Sequence, residues 1–472
     1  MRTWLLIVAG VAWVSIVSAE TKNVLLICVD DLRPELKCFG VDYIQSPNID
    51  KLAVAGRAFN RHYVNAPSCG PSRHTLLTGR YGDAGNDALF NRAKKLAKAP
   101  DAVPPSMPEW FRSHGYTTVS VGKISHHPGG LGRKDWNQAG AFEMPGAWDR
   151  HLMPVGEWQH PHGAMHGLSH GQIRQGNTKF PVFEAVEGSN LIYPDGLIAE
   201  EGLKQLEDLS KSGKPFFLAV GLIKPHLPFG APKRFLELYS GVELPPIPHP
   251  DKPKGRTTWH NSGEFMQYYR WGKDPREDAG FADEVRRHYA ACVSYADEHV
   301  GKLVAKLKAC GVADKTVIVL WGDHGWHLGE HSIWGKHALF EESLRSPLVI
   351  YHPGIKNPGV QARGVVETQD IFPTLFELVN MEKPQFATGK SLLPLLKNPA
   401  GSGHEAVAYL AEAKTIRTDQ YRLIVHKSGG VELYDHATPA NETKNIADSH
   451  PKVVSELKAR LEAKMAARVF VK

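Results

Sequence analysis

A chain of 472 residues is too long for one minimal domain and fits a large domain with a smaller companion. Its 42% hydrophobic and 22% charged residues suit a packed globular protein and exclude collagen-like, disordered and repeat-array classes. The net charge of +6 comes without a dense Lys/Arg run or a nucleic-acid motif, so no nucleic-acid partner is expected, while acidic small molecules or polysaccharides remain attractive partners.

In chain order, Arg2 precedes an apolar run from Trp4 to Val17, and Val17-Ser18-Ala19 supplies small residues for cleavage. Residues 1–19 therefore read as a secretory signal peptide, with export to periplasm or medium in a bacterium, or to lysosome or medium in a eukaryote. No other stretch approaches the ~20 apolar residues of a span, so no stable membrane insertion is expected. Strand-like runs at 23–29, 116–121, 215–221, 315–321 and 346–351 alternate with helical patterns, which predicts an α/β fold. Pro47-Asn48 opens a helix ended by Gly56, residues 281–309 form a long amphipathic helix, and a shorter one follows in "TQDIFPTLFELV". Past about residue 380, short runs at 405–410, 421–426 and 430–435 and a charged helix from Pro451 to Ala467 predict a small antiparallel sheet with one covering helix. The domains are thus 20–380 and 381–472.

Between 129 and 193 regular patterning fails, in an insertion rich in Gly, Pro, Trp and His. His162, His166 and His170 have the spacing of a helical metal site, but Pro161, Gly163 and Gly167 argue against that helix and for a substrate-facing or surface loop. The five cysteines, an odd number in an oxidising compartment, leave at least one unpaired. Cys28 reads as a core thiol, and the lack of a CxxC pair argues against a structural zinc site.

The first strand ends in Asp30-Asp31, and strand 315–321 runs into Asp323-His324. Carboxylates at two strand ends, where α/β sheets place ligands, point to a divalent cation that relieves their repulsion. Three carboxylates favour Ca²⁺ or Mg²⁺, while the imidazole suits Zn²⁺ or Mn²⁺. Cys69 opens "CGPSR" ahead of an apparent helix, and read alone it is a buried thiol, half of a disulfide or a metal ligand.

The pattern Cys69-Gly70-Pro71-Ser72-Arg73, followed by Thr78-Gly79-Arg80, resembles the signature of the type I sulfatases. "NVLLICVDDLRPELKCFG", "SPNIDKLA", "VGKISHHPGG", "AVGLIKPHLPF", "GDHGWHLGEHSIWGKH", "DIFPTLFELV" and "ELYDHATPANET" appear in family order and most resemble the iduronate-2-sulfatase branch. The resemblance implies an alkaline-phosphatase-like fold, a large mixed sheet sandwiched by helices with a smaller C-terminal antiparallel sheet plus helix. It implies hydrolysis of sulfate monoesters on a sulfated sugar or polysaccharide, such as a 2-O-sulfated uronic acid. It implies that a separate formylglycine-generating enzyme converts Cys69 to formylglycine, whose hydrate is the nucleophile and forms a covalent sulfo-enzyme. Asp30, Asp31, Asp323, His324 and residue 69 are implied as ligands of one divalent cation, calcium foremost, with Mg²⁺, Mn²⁺ or Zn²⁺ as alternatives. Arg73 is implied to fix the nucleophile, Lys123 and Lys336 to bind sulfate oxygens, and His226 to protonate the leaving oxygen. His126 occupies a site position of the branch, with His127 beside it as a rival.

His327, His331 and His337 either line the pocket or lie behind it, and Trp326 and Trp334 either stack on a sugar or pack in the core. Gly70 departs from the small polar residue or alanine usual after the cysteine. Asp323-His324 departs from the commoner Asp-Asn and is shared with phosphonate monoester hydrolases, so a phosphonate or phosphodiester hydrolase is the rival enzyme. A non-catalytic protein binding sulfated glycans is the second rival. Asn441-Glu442-Thr443 is a glycosylation acceptor where the host glycosylates.

Overall fold

A computed structural model describes residues 22–128, 142–175, 179–252 and 261–468. The expected signal peptide and the stretches 129–141 and 176–178 of the insertion lie outside the described residues. Eight strands form the main sheet: β1 (Asn23–Val29), β2 (Arg57–Tyr63), β3 (Thr117–Gly122), β4 (Arg150–Leu152), β5 (Phe216–Leu222), β6 (Thr316–Gly322), β7 (Leu348–Tyr351) and β8 (Ala362–Glu367). Their order is β8-β2-β7-β6-β1-β5-β3-β4. Only β7 runs antiparallel to its neighbours, so the other seven present their carboxyl ends at one edge.

β1 lies at the centre because every one of its residues is apolar and buried apart from Asn23. Its side chains alternate between two cores. Leu25, Ile27 and Val29 meet the layer that contains α3 (Pro194–Lys211) and α4 (Ala279–Ala309). Val24, Leu26 and Cys28 meet the opposite layer, which includes α2 (Cys69–Thr78) and α5 (Ile371–Leu378). Cys28 is the core thiol expected, and all five cysteines are free thiols. α1 (Pro47–Ala55) starts on Pro47 and ends before Gly56, as the punctuation predicts.

β2 escaped the sequence reading because "RAFNRHY" has no apolar run. Arg57 is fully buried there, and its guanidinium donates to the carbonyl oxygens of Lys356, Asn357 and Leu396 at 2.8, 2.9 and 3.0 Å. Carbonyl acceptors replace water, so a charged residue tolerates burial at the start of the strand. The insertion is more regular than expected. It supplies edge strand β4, a strand at Phe183–Val186 and a five-residue helix at Pro161–Met165. Pro161 stands at the first helical position, where its missing N–H costs nothing, and the His160 ring accepts from Gly163 N–H at 2.9 Å. Pro161 and Gly163 thus do not prevent that short turn.

The C-terminal part is an antiparallel sheet of β9 (Ala406–Tyr409), β10 (Ala413–Arg417), β11 (Tyr421–His426) and β12 (Val431–Asp435), covered by α6 (Pro451–Arg468). Ile416, Leu423 and Leu433 pack on Leu457 and Leu461 of α6, while Ile424 and Tyr434 pack on Phe340 and Leu344 of the large sheet's loops. The second contact is reinforced by ions. Glu341 accepts from Arg417 at 3.0 Å and from Arg422 at 2.6 Å, and Arg422 also pairs with buried Glu442.

Several core histidines are held neutral by burial. His62 and His74 are pulled down to about 4, and His288 and His299 to about 3. The unfolded chain protonates these rings near about pH 6.5, so their contribution to stability is complete above that pH and is lost as the pH falls. The midpoint of thermal unfolding should therefore drop steadily as the pH falls from about 6.5 to about 4. A midpoint unchanged across that window contradicts the burial of neutral rings.

Candidate active site

The loops leaving β1, β2, β3, β5 and β6 converge at the carboxyl edge of the sheet. Asp30 and Asp31 follow β1 directly, and Asp323 and His324 follow β6, its hydrogen-bonded neighbour. All four side chains are fully buried. Asp31 takes a left-handed backbone (φ 56°), and its N–H donates to Asp323 Oδ1 at 2.9 Å, which ties the two strand ends together.

Cys69 is the first residue of α2, a helix buried along its whole length. The departure at Gly70 now has a cause. A Cβ there would overlap the backbone of Asn86, whose side chain accepts from Gly70 N–H at 3.0 Å and from Ser68 Oγ at 2.9 Å. Cys69 Sγ lies 3.3 Å from His324 Nε2, 3.5 Å from Asp30 Oδ1, 3.4 Å from Lys336 Nζ and 3.8 Å from Lys123 Nζ.

Arg73, one turn along α2, is also fully buried. It donates to Asp323 Oδ2 through Nε at 3.0 Å, to Asp30 Oδ1 through Nη2 at 3.1 Å, and to the carbonyls of Lys123 and Ile124 through Nη1. Its donors therefore span the two acidic strand ends and not the Cys69 sulfur. Lys123, just past β3, pairs with Asp30, and Lys336 donates to Asp31 at 2.9 and 3.2 Å.

His226 leaves β5 on a turn held by Asp195, which accepts from the N–H groups of Ile223 and Lys224 at 2.7 and 3.1 Å. It is 3% exposed, so it is not a surface histidine on a proline turn. A cavity of about 300 Å³ opens beside it, lined by Lys123, His126, His127, His162, His166 and Asp87 among others. His126 and His127 thus share the cavity, with the His127 ring 3.3 Å from Asp87. His162 and His166 of the insertion line this cavity, whereas exposed His170 is not among its lining residues.

Sequence reasoning missed Glu264, which carries no motif. Its carboxylate lies 3.4 Å from His226 Nε2 and 3.6 Å from Lys336 Nζ, joining the two. Trp326 and Trp334 are core residues, 0% and 1% exposed, which settles their alternatives in favour of packing. His327 and His331 turn toward Glu342 and are not among the cavity-lining residues. The backbone N–H of His337 donates to Pro67 O at 3.2 Å, in the segment that leads into Cys69.

Charge explains the arrangement. Three buried carboxylates face three buried cations, Arg73, Lys123 and Lys336, so the protein alone is balanced at the site. Burial raises the Asp30 carboxyl, but Lys123, His226 and Arg73 outweigh it and hold it well below the usual range. Burial dominates at Asp31 and Asp323 and raises both. Burial and the Asp30 charge push the Cys69 thiol well above its ordinary value despite the two lysines. A protonated thiol is a poor nucleophile, so this cysteine is not set up for thiolate chemistry. Donor atoms of Asp30, Cys69, Asp323 and His324 lie within 4.8 Å of one another, a set that fits a divalent cation.

A family model described as Sulfatase matches residues 22–381, and one described as N-sulphoglucosamine sulphohydrolase, C-terminal, matches residues 329–467. The chain is 32% identical over 411 residues to iduronate 2-sulfatase of Homo sapiens, covering 78% of this chain and 70% of that protein. It is 29% identical over 491 residues to a sulfatase of Formosa agariphila, covering 98% and 91%. Among solved structures, BT4656 in complex with its substrate D-glucosamine-2-N,6-O-disulfate superposes with a TM-score of 0.72 at 22% identity, covering 95% of this chain and 98% of that one. The phosphonate monoester hydrolase of Silicibacter pomeroyi superposes with a TM-score of 0.73 at 22% identity, covering 95% and 96%. These two likenesses concern the fold.

Replacing Arg73 by alanine leaves Asp30 and Asp323 buried together without their bridge. In chelator-treated protein the Arg73→Ala substitution should cost about 3–5 kcal/mol of unfolding free energy, read from denaturant titration. A loss under about 1 kcal/mol, the range of an exposed ion pair, contradicts the bridging role.

Proposed function

We propose, for a chain that belongs to the sulfatase family, that it hydrolyses sulfate monoesters on a sulfated sugar, a 2-O-sulfated uronic acid being the substrate class its iduronate relatives favour. The observation that carries this reading is that the Cys69 side chain lies 3.8 and 3.4 Å from the ammonium groups of Lys123 and Lys336, near a cavity lined by Lys123 and His226. A sulfate monoester carries negative charge that repels nucleophiles, and its alcohol leaves poorly without a proton. Two buried lysines close to residue 69 answer the first difficulty, and a buried histidine answers the second.

In this reading Cys69 is oxidised to formylglycine by a formylglycine-generating enzyme, and the hydrated aldehyde would supply the nucleophilic oxygen at that position. Asp30, Asp31, Asp323, His324 and residue 69 would hold one divalent cation, with calcium preferred because carboxylates dominate the donor set. When bound, that ion supplies charge that lowers the pKa of the nucleophile and polarises a sulfate oxygen. Lys123 and Lys336 bind the sulfate oxygens and neutralise charge as the ester bond lengthens. His226 is the acid for the leaving sugar oxygen: its Nδ1 donates to Leu227 O at 2.6 Å, so Nε2 must gain a proton before it can give one. Burial and the charges of Lys336 and Lys123 hold that ring well below the ordinary histidine range, against the pull of Asp30, while the Glu264 carboxylate lies 3.4 Å from Nε2. Arg73 keeps Asp30 and Asp323 in place. His126 contacts the sugar from the cavity wall. The division of the chain at 380/381 and export through residues 1–19 belong to the same proposal. Among the described residues no helix is long and apolar enough to cross a membrane.

The Asp323-His324 pair and the likeness to the phosphonate monoester hydrolase favour one second reading, hydrolysis of phosphonate monoesters or phosphodiesters. One experiment separates the two. Protein matured with a formylglycine-generating enzyme is assayed for sulfate release from defined sulfated saccharides, beside a phosphonate monoester and a phosphodiester. Sulfate release is expected to dominate and to fall at least about a thousandfold in Cys69→Ala. Faster turnover of the phosphorus substrates, or full activity of Cys69→Ala, overturns the proposal.

A further inference from the structure

We propose that His327, His331 and Glu342 form a second divalent-metal site, selective for zinc and separate from the carboxylate cluster around Cys69. His327 Nε2 lies 3.4 Å from Glu342 Oε2, and His331 Nε2 lies 3.6 Å from the same oxygen. All three donor atoms fall within 4.8 Å of one another. Zinc bonds of about 2.0–2.1 Å in a tetrahedron set donors roughly 3.3 Å apart, so two of the three edges already have the right length.

The site is built and not incidental. His327 and His331 are 0% and 1% exposed. His327 Nε2 and Glu342 Oε2 are buried without a hydrogen-bond partner, which is costly unless something occupies the point they face. The other ring nitrogen of His327 is engaged by Ser343 Oγ at 2.9 Å, the outer contact that orients a ligating imidazole. The His331 ring is stacked on Phe340, centroids 4.5 Å apart, and its backbone N–H donates to His249 O at 2.7 Å. The nearby Glu330 is unavailable as a ligand, because its carboxylate is taken by Arg33 at 2.8 Å and Leu328 N–H at 2.7 Å. Glu342 also lines a cavity of about 430 Å³ with Arg33, Pro245 and Leu328.

Two imidazoles and one carboxylate form a borderline donor set that favours zinc over calcium, the reverse of the carboxylate-rich cluster at Cys69. The expectation of no structural zinc rested on cysteine spacing, and these ligands contain no cysteine. Bound zinc would clamp the chain on both sides of Lys336 and just past His324, which gives the site a bearing on the catalytic loop.

The test is equilibrium dialysis of the full mature chain against zinc in excess calcium, with metal counted by mass spectrometry. One tightly held zinc per chain is expected, with affinity lowered about tenfold or more in His327→Gln and in Glu342→Gln. No retained zinc, or zinc held equally well by both variants, overturns the proposal and leaves His331 and Glu342 as a simple ion pair. Should either variant fail to fold, Ser343→Ala serves instead: weaker zinc binding supports the site and unchanged binding overturns it.

Discussion

The site depends on burying several charges together at the end of a parallel sheet. β1 and β6 are hydrogen-bonded neighbours, so their first residues past the sheet, Asp30 and Asp323, must emerge side by side. Neither carboxylate reaches water. Arg73 bridges them from α2, which fixes the first turn of that helix and therefore the side chain at position 69. Remove the bridge and both the acidic edge and the helix that carries Cys69 lose their common reference.

The remaining groups follow from that constraint. Once Asp30, Asp31 and Asp323 are out of water, they require cations, and Lys123 and Lys336 supply them from two further segments. Because those lysines also approach Cys69 Sγ, the charges that stabilise the folded protein are the ones an anionic ester would meet. On the proposed function, structural compensation and anion recognition would be served by the same side chains. The C-terminal sheet supports this from behind. Arg417 and Arg422 grip Glu341, five residues past Lys336, and fix the exit of the loop that delivers the lysine.

Much of this was readable in the sequence, for identifiable reasons. The runs at 23–29 and 315–321 are continuously apolar because those strands are covered on both faces, and such runs stand out. Asp30-Asp31 and Asp323-His324 were conspicuous as acidic residues ending those runs. Other features left no trace in the pattern. β2 carries a buried arginine whose guanidinium donates to carbonyls of four distant residues, an arrangement only tertiary structure reveals. Glu264 meets His226 and Lys336 across the fold, with nothing in its neighbourhood of sequence to mark it. Arg73 was identified from the signature, but its actual contacts, to two carboxylates, follow from strand pairing. The histidines of the insertion were noticed for their spacing, yet which of them reach the cavity depends on a helix of five residues that Pro161 begins.

The central claim is that Asp30, Asp31 and Asp323 share one cation beside residue 69. Long-wavelength anomalous diffraction from crystals of the mature protein grown with calcium tests it most directly. The account predicts a single calcium peak in contact with oxygens of all three carboxylates and with the side chain at position 69. Calcium bound elsewhere, with the acidic edge left to Arg73 and the two lysines alone, would contradict it.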